Sequence, residues 1–260
     1  MISKLFLMFL MLFTFVLLNT SFNLVEIYAS NETKQNSIDF EKLVGDYINW
    51  WINVPVEEDP QQLANPCVVH ETDSIIFFHD PFEMGNIKNT CTIPDKSIFF
   101  PFYIGWCDTA SQGYYGVQSY NKLLECALDA NRGLVTMNAY LDGNKIVDVM
   151  IDNTNVHNLK VLHNKSLENY YKEIGPTDFF KLTITNKTQY TGFEKPEEFE
   201  SSPAQYKAVG YCFCGFIDNE KLNPGNHELI YYTKIEGSGG LDKTKGWDHE
   251  SKITYVFTVE

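Results

Sequence analysis

The stretch Ile253-Thr-Tyr-Val-Phe-Thr-Val259 decides the fold. Every second side chain in it is large and apolar, and the residues between them are threonine or valine. Successive side chains of a β-strand point to opposite faces of a sheet, so this alternation predicts a strand with one buried face. Because all the large side chains share that face, we expect the strand to lie inside a sheet.

The same features continue towards the N-terminus. Tyr206–Ile217 is a long aromatic run, and Glu228–Lys234 follows a turn that contains Pro-Gly. Val135–Leu141 alternates again, and Asp142-Gly143 predicts a hairpin whose return strand is Lys145–Ile151. Short strands separated by Gly and Pro turns predict an immunoglobulin-like β-sandwich.

The chain before residue 135 mixes helices with aromatic strands. Apolar residues at spacings of three and four predict two amphipathic helices, one capped by Ser37 and ending near Pro55, the other capped by Ser119 and ended by Gly133. Ser74–His79 and Ser97–Ile104 are aromatic and β-branched, which predicts strands. Pro101 marks either an edge strand or a bulge in the second of them.

We therefore predict a mainly β fold with a few helices. A single secreted domain spans residues 30–260, with an N-terminal helix, disulfide-stapled loops and a sandwich body in residues 135–260. A further short helix is predicted for Ser166–Ile174, ahead of Gly175-Pro176.

Residues 1–29 predict a secretory signal peptide. Lys4 precedes the apolar run Leu5–Leu18, and Ala29 offers a small residue for cleavage. The run is short for a membrane span, which needs about 20 residues. We expect a mature chain that begins near Ser30 and is secreted or displayed at the cell surface. The alternative is an uncleaved anchor, which would be the protein's contact with a membrane.

The charge of the chain restricts its partners. The formal net charge is −14, and an acidic surface repels phosphate backbones, which argues against nucleic-acid binding. Three sequons, at Asn31, Asn164 and Asn186, would make the protein a glycoprotein in a host that modifies exported chains.

Six cysteines in an exported chain predict disulfide bonds. Short separations favour the bridges Cys67–Cys91 and Cys107–Cys126. Cys212 and Cys214 would point to the same face of a strand. The sequence leaves three options for them: a bridge to each other, bridges to other cysteines, or a metal site.

The candidate ligand-binding loop is Gly105–Gly116, with the sequence GWCDTASQGYYG. Its glycines let the backbone approach a ligand closely, and Trp106, Tyr114 and Tyr115 offer flat apolar faces with polar edges. Asp108 adds a hydrogen-bonding carboxylate. The competing interpretation is that these aromatic side chains pack back onto the core.

The sequence contains no G-x-S-x-G, H-E-x-x-H, Walker or dinucleotide-binding motif. Our leading hypothesis is a non-enzymatic extracellular binding protein for a glycan or a peptide, without a cofactor. One alternative is a hydrolase of an extracellular polymer, which needs two carboxylates at a suitable separation. The other is an exported metal-binding protein that uses Cys212, Cys214 and a histidine.

The segment Cys91-Thr-Ile-Pro-Asp-Lys-Ser-Ile-Phe-Phe-Pro101 resembles the C-T-[IV]-P-x-x-K/S-x-[FL]-F-P segment of an uncharacterised family of secreted prokaryotic proteins. Asn65-Pro66-Cys67, Leu141-Asp-Gly143 and Pro224-Gly-Asn-His227 fall in the order expected for that family. Asp95 stands where a small residue is usual. The resemblance implies export and one continuous domain. It implies no mechanism, because the family has no established activity.

Overall fold

The computed structural model describes residues 38–54, 67, 69–79, 85–109, 119–130, 132–155, 157–167, 169–185, 204–238 and 247–260. Contacts divide the chain into Met1–Asp39 and Phe40–Glu260. Every helix and strand described below belongs to the second unit. The predicted signal peptide lies outside the described residues, as do the sequons at Asn31 and Asn186.

The described residues form two helices, twelve strands and a short 3₁₀ turn at Asn219–Lys221. The helices are α1 (Phe40–Trp51) and α2 (Tyr120–Ala130). The strands are β1 (Val69–Glu71), β2 (Ile75–Phe78), β3 (Gly85–Ile93), β4 (Ser97–Asp108), β5 (Leu134–Leu141), β6 (Asn144–Asp152), β7 (Lys160–Asn164), β8 (Tyr171–Ile174), β9 (Phe180–Ile184), β10 (Ala204–Ile217), β11 (Gly225–Ser238) and β12 (Trp247–Val259).

The strands form two six-stranded sheets. The first has the order β1-β2-β4-β10-β8, and β9 also pairs with β10. The second has the order β3-β12-β11-β5-β6-β7. The pairs β2–β4 and β3–β12 are parallel and the other pairs are antiparallel. An immunoglobulin sandwich is built of antiparallel sheets. The two parallel pairs therefore distinguish this arrangement from an immunoglobulin sandwich.

The core lies between the two sheets, because alternation along each strand sends one set of large side chains inward. The first sheet contributes Ile98, Phe100 and Phe213, and the second contributes Tyr231 and Tyr255. Phe100 and Tyr231 have ring centroids 4.8 Å apart. The predicted mainly β fold with a sandwich body is confirmed.

Helix α1 covers the outer face of the first sheet. Val44, Tyr47 and Ile48 are fully buried, and they pack with Phe77 and Phe99 of the sheet. Helix α2 forms a smaller cluster, in which Leu123 and Cys126 meet Cys107 and Val209. Both predicted helices are therefore confirmed, and each is held by its apolar stripe.

Strand β12 lies between β11 and β3, so the prediction that it is internal is confirmed. The prediction that residues 135–260 form the body is too narrow. Strands β1 to β4 precede residue 135, and both sheets include them. Alternation is plainest after residue 135, whereas β2 and β4 are buried on both faces and do not alternate: all four residues of β2 are buried.

The helix predicted over Ser166–Ile174 is wrong. Tyr171–Ile174 is strand β8, whose residues pair with Cys212–Gly215 of β10. The long-range backbone pairing overrides a local preference for helix, which is a weak determinant of structure.

Pro101 lies at the bulge that the sequence predicts. The register between β4 and β10 shifts there, so that Phe213 pairs with Tyr103 and Cys214 pairs with Pro101. Phe102 is the additional residue. Strand β2 pairs with β4 only as far as Phe99, so the missing N–H of Pro101 costs no hydrogen bond to β2.

Candidate functional site

The predicted ligand-binding loop begins as a strand. Gly105–Asp108 belongs to β4, where Trp106 pairs with Gly210 of β10. Trp106 is half-buried and packs against the cluster under α1. Asp108 is fully buried, which corrects the expectation that its carboxylate is presented to a ligand. Tyr114 and Tyr115 lie outside the described residues.

All six cysteines form disulfides. The predicted bridges Cys67–Cys91 and Cys107–Cys126 are present, with Cα–Cα distances of 5.1 and 5.9 Å. The third bridge joins Cys212 to Cys214, with a Cα–Cα distance of 5.5 Å. This bridge occupies both sulfurs, so the pair supplies no thiolate ligand to a metal in this state.

An open groove of about 450 Å³ lies where β4 ends, beside the start of the segment 110–118. We call it the β9–β10 groove, because most of its lining comes from these two strands. It is lined by Thr109, Phe179, Phe180, Lys181, Gln205, Tyr206 and Lys207. Thr109, which belongs to the predicted loop, is therefore part of this groove.

Aromatic rings form the apolar part of the β9–β10 groove. Phe179 is 38% exposed, and its ring meets the ring of Tyr120 edge-on, with centroids 5.2 Å apart. The Lys207 Nζ lies 5.3 Å from the centroid of Phe179. The helix α2 residue Tyr120 is itself fixed, because its hydroxyl donates to the Thr177 carbonyl at 2.9 Å. Phe179 is thus an exposed but supported aromatic face.

Two lysines form the charged part of the groove. Lys181 of β9 and Lys207 of β10 are direct cross-strand partners, and both are exposed. Among the described residues, neither forms an ion pair with a carboxylate. The side chain of Gln205 makes no hydrogen bond within the described part of the chain. These three side chains are therefore available to a ligand.

A second open groove, of about 500 Å³, lies beside α1. It is lined by Asp46, Asn49, Trp50, Asn53, His70, Thr72 and Thr183. The rings of Trp50 and His70 are stacked, with centroids 5.6 Å apart. Burial lowers the pKa of His70, and the nearby Asp46 carboxylate opposes that effect. His70 is therefore held towards its neutral form.

The amides of this second groove are already used by the fold. Asn49 donates to the Lys181 carbonyl at 2.9 Å and accepts from the Thr183 N–H at 2.8 Å. Asn53 donates to the Thr183 carbonyl at 2.8 Å and accepts from the Thr185 N–H at 3.1 Å. Together the two asparagines close the outer edge of β9. Consequently, the β9–β10 groove offers more free hydrogen-bonding groups and is our candidate site.

Sequence reasoning missed this groove. The strings that contain Lys181 and Lys207 are far apart in the chain, and nothing local indicates that β9 and β10 are neighbours. The sequence feature nearest to the groove is the Gly-rich aromatic segment, because its residue Thr109 lines the groove.

Neither groove gathers the groups that a hydrolase would need. Two carboxylates at a suitable separation are required, whereas, among the described residues, the lining of the β9–β10 groove includes none and that of the second groove includes Asp46 alone. Within the described residues, no group of three or more His, Cys, Asp or Glu side chains is arranged to hold a metal. In the same residues, no helix has the length and apolar character to cross a membrane.

Comparison with known proteins finds no matching family model and no matching curated protein. Among solved structures, the adhesive subunit CfaE of the CFA/I fimbria of enterotoxigenic Escherichia coli matches at 16% identity and a TM-score of 0.13, over 60% of this chain and 35% of that one. A mutant of the same adhesin matches at 12% identity and a TM-score of 0.14, over 69% and 47% of the two chains. This chain thus spans less than half of those adhesins. At these TM-scores the likeness carries no inference about fold or function.

Proposed function

We propose that this protein is an extracellular, non-enzymatic binding protein that holds its ligand in the β9–β10 groove. The observation that carries the proposal is the combination found there. An exposed, supported ring at Phe179 lies beside the polar side chains Lys181, Gln205 and Lys207, whose two ammonium groups form no ion pair within the described residues. Binding sites commonly combine an apolar surface with a few polar groups that fix orientation.

Two further observations support the proposal. Three disulfides are typical of proteins in an oxidising compartment outside the cytosol. The segment 110–118 starts at the rim of the groove, so Tyr114 and Tyr115 are close in sequence to the site. We propose that both tyrosines contribute to binding, with a glycan or a peptide as the ligand.

Binding of a glycan and peptide array by the protein, with and without Phe179→Ala, tests the proposed function. We expect at least one ligand class to bind and to lose at least tenfold in affinity in this variant. Tyr140→Ala is the matched control, because Tyr140 also lies beneath a lysine, with the Lys145 Nζ 5.7 Å from its ring, but on the other sheet. Equal affinity of the Phe179 variant and the wild type would contradict the proposed site.

The double variant Tyr114→Ala, Tyr115→Ala tests the contribution of the loop. A binding loop would lose affinity while the melting temperature stays nearly constant. A structural role would instead reduce stability by about 3–5 kcal/mol for each buried aromatic side chain that is truncated. Unchanged affinity together with unchanged stability would remove the loop from the proposed site.

A further inference from the structure

We infer that the β9–β10 groove selects an anionic glycan, such as a polyuronate, through the Lys181–Lys207 pair. The inference rests on the proposed function, because it names the ligand class of the same groove. It follows from the register of two strands, the charge of the chain and the aromatic lining.

The two lysines are placed where their charges oppose each other. Directly opposed residues on neighbouring antiparallel strands have Cβ atoms about 4.5–5.5 Å apart, and like charges at such positions destabilise a sheet. Lys181 and Lys207 are such a pair. An anion lying between the two ammonium groups removes this repulsion. The unliganded pair therefore costs stability that a bound carboxylate recovers.

The charge of the chain bears on how this pair is balanced. The protein has 34 acidic and 20 basic residues, so carboxylates are abundant. Where lysines of the described residues form ion pairs, they do so with nearby carboxylates: Lys42–Asp46, Lys96–Glu71, Lys145–Asp148 and Lys234–Glu236. Among the described residues, the groove that holds Lys181 and Lys207 has no carboxylate in its lining. Within that part of the chain, the two adjacent lysines therefore have no carboxylate that offsets their charges.

The remaining lining favours a sugar chain as the carrier of that anion. Sugar rings present apolar C–H faces that stack on aromatic rings, and Phe179 is exposed within the groove. Lys207 already lies over that ring, so a uronate stacked on Phe179 has its carboxylate near the ammonium. The amide of Gln205 can both donate to and accept from hydroxyl groups. A polyuronate carries one carboxylate on each sugar ring. Such a ligand would use the Phe179 ring, the Gln205 amide and the two lysine ammonium groups together.

Calorimetric titration of the full protein with oligogalacturonate and with its methyl ester tests the inference. The ester has the same sugar backbone but carries a neutral methyl ester in place of each carboxylate. We expect the acidic oligomer to bind, the ester to bind at least tenfold more weakly, and Lys181→Gln and Lys207→Gln each to reduce affinity for the acidic oligomer about tenfold. Lys145→Gln, which removes a lysine already paired with Asp148, should leave affinity unchanged.

The outcomes separate this inference from the proposed function. If the acid and the ester bind equally, and Phe179→Ala but not the lysine variants weakens binding, the selection for an anion is overturned. The proposed binding function is then left intact. Lysine-dependent binding of a polyglutamate peptide without binding of the uronate overturns the glycan assignment. Failure of the acidic oligomer to bind overturns the inference, and the array with Phe179→Ala then decides the proposed function separately.

Discussion

Gly215 shows how closely single residues constrain the first sheet. A Cβ atom at this position would lie 2.1 Å from the Phe100 ring. Gly215 and Phe100 are cross-strand partners, and Phe100 is fully buried between the sheets. The ring therefore occupies the space that a side chain on β10 would take.

Gly215→Ala should reduce the free energy of unfolding, because the Phe100 ring must leave its packed position. Overpacking of this kind costs about 1–3 kcal/mol. Urea denaturation of the variant measures the loss. Phe100→Leu is the partner substitution in a double-mutant cycle, and the combined loss should be smaller than the sum of the single losses. Strict additivity would refute the proposed clash.

His227 gives the hairpin between β5 and β6 a dependence on pH. Its Nδ1 lies 2.8 Å from Asp142 Oδ2, and its Nε2 lies 2.7 Å from the Asn223 carbonyl oxygen. Both partners accept hydrogen bonds, so only the imidazolium donates to both. Burial alone would lower the pKa of His227, but the hydrogen bonds to Asn223 and Asp142 and the Asp142 charge raise it overall.

A raised pKa in the folded state stabilises the protein below the ordinary histidine pKa of about 6.5. This stabilisation is lost as pH rises through the raised pKa of His227. Thermal melts from acidic to alkaline pH should show this loss in the wild type and not in His227→Gln. His157→Gln, at an exposed position, is the control. A pH profile that is identical in the wild type and in His227→Gln would contradict the assignment.

At the scale of elements, side chains of α1 and of the turn after it form hydrogen bonds with the backbone of β9, as a neighbouring strand would. Asn49 lies in α1 and Asn53 lies in the turn that follows it, and their amides reach successive backbone groups on the free edge of β9. An uncovered edge would present unpaired N–H and C=O groups. The helix thereby holds in place the strand that carries Lys181.

Asn53→Ala should destabilise β9, because it removes the amide that donates to the Thr183 carbonyl and accepts from the Thr185 N–H. Both residues are half-buried, so we expect about 1 kcal/mol, the net value of an ordinary hydrogen bond. Amide hydrogen exchange at Thr185 should accelerate in this variant, while exchange at Tyr231 in the other sheet should not change. If exchange at Thr185 keeps its wild-type rate, the edge is protected by other means.

The elements that sequence reasoning found are those whose signal is local. The apolar stripes of α1 and α2 and the turn Asp142-Gly143 need no distant partner to be recognised. The turn has φ angles of 52° and 78°, which Asp and Gly adopt at low cost. Strand β3 has a polar sequence and was missed, because it is specified by parallel pairing with β12. The lysine pair of the candidate site depends on the same kind of distant pairing, so it too could not be predicted.

At the scale of the whole molecule, the central position of β12 predicts that the stability of the fold depends strongly on this strand. Ile253, Tyr255 and Phe257 are almost fully buried in the core between the sheets. Burial of each such side chain stabilises the fold by about 1.5–3 kcal/mol, against a total of about 5–15 kcal/mol for a typical domain. Deletion of residues 253–260 should therefore abolish cooperative unfolding in a calorimetric scan. Lys252→Ala, at an exposed site on the same strand, should melt like the wild type.

The central place of β12 also determines when β3 can pair during synthesis. Gly85 pairs with Ser251 and Ile93 pairs with Val259, so β3 emerges from the ribosome long before the strand that flanks it. Within the described sheets β3 has no other neighbour. The second sheet consequently cannot close until β12 has been translated. The backbone groups of β3 therefore have no partner within the described sheets until the last strand has been made.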